Sequence, residues 1–159
     1  MPIRICAFFI CALANVIGAA HPHDQPPLCN KLLTTLARSS SSDRQAQKGN
    51  VLEIRSCEPG VLQLAAWGAG QARPLIVETN RTSIVSLATV SDTVYVIQTA
   101  GASSNVVQVI VFENNVPRLA LNEAVKAYAD IRITWKEVVV TIPSTASESQ
   151  VFKFATQIE

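Results

Sequence analysis

Val106-Val107-Gln108-Val109-Ile110-Val111-Phe112-Glu113-Asn114-Asn115 is the stretch on which the architecture turns. Successive side chains of a strand point to opposite faces. A run that is apolar at both parities therefore belongs to a strand covered on both sides. Between Val106 and Phe112 the only polar residue is Gln108, and β-branched residues dominate. Asn114-Asn115 follows, and asparagine tolerates the positive φ angles of a tight hairpin turn. Val94-Tyr95-Val96-Ile97 and Val138 to Ile142 have the same two-sided apolar character. Val94, Val96, Val107, Val109, Val111, Val139 and Ile142 are the expected centre of the core.

Around these runs the pattern has a period of two. Leu52 and Ile54 alternate with Glu53 and Arg55, and Leu62, Leu64 and Ala66 lead to Trp67. Leu75 and Val77, Ile84 to Val90, Leu119 and Leu121, Ile131-Ile133-Trp135, and Phe152 with Phe154 mark further strands. Turn chemistry separates them: Cys57-Glu58-Pro59-Gly60, Gly68 to Arg73, Ser91-Asp92, Ala100 to Asn105 and Lys136-Glu137. Asn122 to Ala127 reads as a loop or helical turn, and Pro143 stops a strand. No strand–helix–strand alternation is present. The expected fold is mainly β: an antiparallel β-sandwich or flattened barrel of about ten short strands.

One helix is expected before the strands. Pro26 and Pro27 suit a first helical turn. Leu28, Leu32 and Leu36 recur at intervals of four, with Lys31, Thr34, Thr35 and Arg38 on other faces. This short N-terminal α-helix would cover one side of the central strands. Ser39 to Gly49 is polar and serine-rich, a linker by composition. The expected organisation is a leader over 1–20, a helix and flexible linker over 21–49, and an antiparallel β domain over 50–159.

The leader has the three parts of a secretory signal peptide: Arg4, the apolar run Ile5 to Ile17, and small residues in Gly18-Ala19-Ala20. The run falls short of the roughly 20 residues that span a bilayer. A secreted or periplasmic protein is expected, with no stable membrane span after signal cleavage. Cys29 and Cys57 then remain in an oxidising compartment and are expected to form a disulfide.

The charge pattern excludes some functions. The 159-residue chain has 13 basic and 12 acidic residues, and Arg4 leaves with the leader. Without basic excess, nucleic acid is not an expected partner. Both histidines, His21 and His23, precede the strands, so no strand supplies a catalytic imidazole. Glycine-rich phosphate loops are absent. Glu53, Glu78, Glu113 and Glu137 lie near strand ends, where a pair would suit a small secreted hydrolase. Cleavage after Ala20 would expose the amino group and imidazole of His21 together, an arrangement similar to the histidine brace of copper monooxygenases and periplasmic copper carriers. The resemblance makes His21 and His23 candidate copper ligands; no other cofactor is indicated. The brace needs a distant second histidine, which this sequence lacks. Asn80-Arg81-Thr82 is a glycosylation sequon, meaningful only in a eukaryotic host. The expectation that results is an exported, non-catalytic binding or structural module. It would engage a protein or glycan ligand through sheet edges or loops, or self-associate as a homo-oligomer.

Overall fold

The structure, a computed structural model, describes residues 25–37, 49–58, 61–79, 83–101, 104–144 and 148–156. Eleven strands run in chain order: β1 Lys31–Ala37, β2 Val51–Glu58, β3 Val61–Trp67, β4 Leu75–Thr79, β5 Ser83–Val90, β6 Val94–Ala100, β7 Asn105–Glu113, β8 Val116–Val125, β9 Asp130–Ile133, β10 Glu137–Ile142 and β11 Gln150–Ala155. They form three antiparallel sheets, each built from consecutive strands: β1-β2-β3-β4, β5-β6-β7-β8 and β11-β10-β9. The fold is sandwich-like and mainly β, as the two-residue period predicts.

The middle sheet is β5–β8, and its two faces make two separate cores. On one face Val94, Val96, Val107, Val109, Val111 and Leu121 pack with Val138 and Val140 of β10. On the other, Tyr95, Ile97, Ile110 and Phe112 pack with Leu52, Ile54, Leu64 and Ala66 of the first sheet. Registers place these sets correctly: Val96 faces Val109, which faces Leu121, while Tyr95 faces Ile110, which faces Leu119. Tyr95 and Phe112 meet edge to face, with centroids 5.6 Å apart. The two-sided strands are thus central, and Val94, Val96, Val107, Val109 and Val111 are buried.

Val139 and Ile142 are only half-buried. Val139 lies opposite Arg132 and Lys153, on the outer face of β9–β11. That sheet is covered on one side only, so its apolar outer residue meets solvent. Ile142 packs at the rim of the core, opposite Gln150.

The expected N-terminal helix is corrected to a strand. β1 pairs with β2 from Lys31↔Ser56 to Ala37↔Val51. An interval of four is also twice the strand period, so the leucine spacing satisfies both geometries. Thr34 and Thr35 tip the balance, because β-branched side chains favour the extended backbone. A bulge between Leu32 and Thr34 then splits the stripe: Leu36 reaches the core, while Leu32 and Leu33 stay exposed. The second cover of the middle sheet is therefore β9–β11 rather than a helix. Asn122 to Val125 likewise extends β8 rather than forming a loop.

Two hairpins turn at residues with positive φ, Ser91-Asp92 and Asn114-Asn115. The second lies against Gly68, where an added Cβ would fall 1.7 Å from the Asn115 carbonyl oxygen. Nearby, Asn50 joins the first two sheets. Its N–H donates to Asp92 Oδ2 at 3.3 Å and its Oδ1 accepts from the Ala69 N–H at 3.1 Å. Its carbonyl accepts from the Tyr95 hydroxyl at 3.2 Å.

Candidate functional site

The candidate carboxylates fall on separate strands. Glu53 (β2) and Glu78 (β4) share a sheet but lie two strands and two residues apart, a backbone separation of roughly 12 Å. Glu113 ends β7 and Glu137 begins β10, in the other two sheets. Glu53 is buried and bonds Arg55 Nε at 2.8 Å. Glu113 takes two bonds from Arg118, at 2.9 and 2.6 Å, and these hold its carboxyl below the usual carboxylate range. Two of the four thus already serve as ion-pair partners.

Cys29 and Cys57 form the expected disulfide, with Cα atoms 4.9 Å apart. The bond joins an irregular lead-in, not a helix, to a bulge in β2, where Cys57 falls between the shifted registers of Ser56 and Glu58. Neighbouring polar groups secure the same segment. Buried Gln63 accepts from the Cys29 N–H at 2.9 Å and donates to the Pro27 carbonyl at 3.0 Å. Arg55 Nη1 donates to the Cys29 carbonyl at 2.6 Å. The buried polar groups around Arg55 therefore hold backbone. His21, His23 and Asn80 lie outside the described residues, so the metal and glycosylation candidates have no structural account. Among the described residues, no group of three or more His, Cys, Asp or Glu is placed to hold a metal ion, and no helix is long and apolar enough to cross a membrane.

Gln71, Arg73, Pro74, Leu75, Val116 and Pro117 line most of a shallow groove of about 200 Å³. Among its described lining residues Arg73 is the one that is charged, so these offer no acid–base pair.

The most distinctive surface feature is the β9–β10 hairpin. Trp135 at its tip is 70% exposed. The two-residue period assigns Trp135 to a strand with Ile131 and Ile133, but β9 ends at Ile133 and the chain turns there. The neighbouring Lys136-Glu137 turn was the signal that Trp135 stands at a tip.

This tip is tightly held. Thr134 Oγ1 accepts from the N–H groups of Lys136 and Glu137, at 3.3 and 3.0 Å. The Thr134 N–H donates to the Glu137 carbonyl at 2.9 Å. From β11's end, the Thr156 hydroxyl donates to the Trp135 carbonyl at 2.8 Å, and its N–H to the Lys136 carbonyl at 2.9 Å. Lys136 Nζ lies 4.4 Å from the Trp135 ring centroid, a cation–π distance. Beside the tip, the outer face of β9–β11 carries the cross-strand row Arg132–Val139–Lys153. Arg132 and Lys153 are exposed. The arrangement is a rigid aromatic anchor beside an exposed sheet face that carries Arg132 and Lys153. It suits contact with a macromolecule better than enclosure of a small molecule.

No protein-family model matches the chain, no curated protein matches it, and no solved structure matches it.

Proposed function

We propose that this chain is an exported, non-catalytic binding module that works at the cell surface or in the periplasm, with the β9–β10 hairpin as its contact surface. One observation carries the reading: Trp135 is exposed on a backbone fixed by the hydrogen bonds of Thr134 and Thr156. An exposed tryptophan on a fixed turn loses little entropy when a partner covers it. Large aromatic anchors of this kind dominate interface energies. Arg132, Lys136 and Lys153 supply polar contacts around it. The partner is a protein or a glycan presented outside the membrane. Export is supported by the leader pattern over 1–20 and by the disulfide.

The test uses the processed, disulfide-bonded protein immobilised against envelope proteins and envelope polysaccharides of its host. A ligand retained by the wild type should be lost at Trp135→Ala and kept at Arg118→Ser, a change on a different sheet. Equal retention by wild type and Trp135→Ala would remove the hairpin from the reading. N-terminal sequencing of the exported form should begin at His21; retention of Met1 would remove the leader.

A further inference from the structure

Each sheet leaves two edge strands, and the six edges differ in how they are protected. Exposed edges present unpaired N–H and C=O groups, and charged side chains or proline normally blunt them. Five edges carry such residues: Lys31 on β1, Glu78 on β4, Pro117, Arg118 and Glu123 on β8, Asp130 and Arg132 on β9, and Lys153 on β11. β5, Ser83-Ile84-Val85-Ser86-Leu87-Ala88-Thr89-Val90, has no charge, proline or glycine. It pairs with β6 on one side, and no described strand pairs with its other side. None of its residues is buried, whereas its neighbour β6 is buried along most of its length.

We propose that β5 is a self-association edge, which pairs antiparallel with β5 of a second copy of this chain. A two-fold axis sets an edge strand against its own copy, so charges at or near the axis meet their own like. β5 is the one edge strand, among those described, that carries no charge at any position and so avoids this conflict in every register. A bulge between Ile84 and Ser86 pushes Val85 outward, where it is 41% exposed, and leaves Ser86–Val90 as the regular segment. A two-fold axis centred on that segment passes midway between the two copies of Ala88. Ser86 then faces Val90 of the second copy, and Leu87 faces its Thr89. This register preserves side-chain parity: Ala88 and Val90 lie on the face toward β9–β11, and Leu87 on the face toward the first sheet. The two middle sheets join into one continuous eight-stranded sheet, with small alanines at the axis. This pairing is independent of the Trp135 surface.

Sedimentation of the processed, disulfide-bonded protein tests the proposal. The wild type is expected to dimerise reversibly. Thr89→Lys sets lysines on both sides of the axis and should weaken the dimer by roughly tenfold or more, whereas Thr89→Ser, which keeps a hydroxyl beside Tyr95 and adds no charge, should leave it intact. Ala88→Cys should cross-link two chains under mild oxidation, and Ser83→Cys should not, since only the former meets its own counterpart. Trp135→Ala should leave the dimer intact, which separates this outcome from failure of the binding reading. A wild type that stays monomeric up to about 1 mM overturns the proposal. So does a dimer indifferent to Thr89→Lys whose Ala88→Cys form does not cross-link. A monomer that takes up an added extended peptide along β5, but not a second copy, also overturns it.

Discussion

Two buried glutamines do work usually left to backbone. Gln98 donates to the Ala129 carbonyl at 3.1 Å and accepts from the Ala129 N–H at 3.0 Å. Gln63 treats Pro27 and Cys29 in the same manner. A primary amide has the donor and acceptor of a peptide group, so each side chain extends sheet-like pairing to an irregular segment. Gln98→Leu would strand an N–H and a C=O in the interior, at about 1–3 kcal/mol each. Urea unfolding should show a loss of a few kcal/mol; a loss below about 0.5 kcal/mol would mean that the clamp is dispensable. Tyr95 gives a pH signature. Burial, reinforced by the Asp92 charge, pushes its phenol well above the ordinary value of about 10, although a hydrogen bond with Thr89 opposes the shift. The unfolded chain releases this proton first. The phenol's stabilising contribution is therefore complete below about pH 10 and is lost as pH rises toward the raised folded value. Between those limits stability should fall by up to about 1.4 kcal/mol per pH unit from this group. Melting curves of Tyr95→Phe should have a shallower alkaline slope than wild type.

At the level of the strand, pattern alone revealed much of the interior. The valines of β6 and β7 read as two-sided because both parities are apolar, and Ser91-Asp92 and Asn114-Asn115 read as turns because their side chains tolerate positive φ. β1 was hidden by leucines four apart, a spacing shared by helix and strand. The end of β8 was hidden because Asn122 and Glu123 are exposed on an edge and look like loop residues. Trp135 was misplaced because alternation continued one step past the end of β9. The same distinction between covered and open faces predicts unequal mutants. Val109→Asp would place an unpaired charge at a buried position between two sheets, costing several kcal/mol, and should unfold the protein. Arg132 is exposed, so Arg132→Ser should cost less than about 1 kcal/mol. Thermal melts of the two variants make the comparison; a Val109→Asp protein that melts near wild type would contradict the central place of β7.

For the molecule as a whole, the disulfide ties a segment before β1 to β2 across 28 positions. Chain-entropy reasoning assigns such a closure roughly 3–4 kcal/mol. A Cys29→Ser/Cys57→Ser double variant should lose about that much in urea unfolding, with increased hydrogen exchange first at the backbone N–H of position 29, which bonds Gln63. An unchanged midpoint would show that Gln63 and Arg55 suffice to hold the segment.

The sheets also follow one another in strict chain order, and this carries a consequence for synthesis. A ribosome delivers β1–β4, then β5–β8, then β9–β11. The first two meanders have their strand-pairing partners before the last is made, so their pairing can begin on the nascent chain. Yet the valine face of β6 and β7 stays bare until β10 arrives with Val138 and Val140. Translation that stalls after Val125 would therefore release a half-covered slab with an adhesive apolar side. Such truncated chains should be the form that chaperones retain.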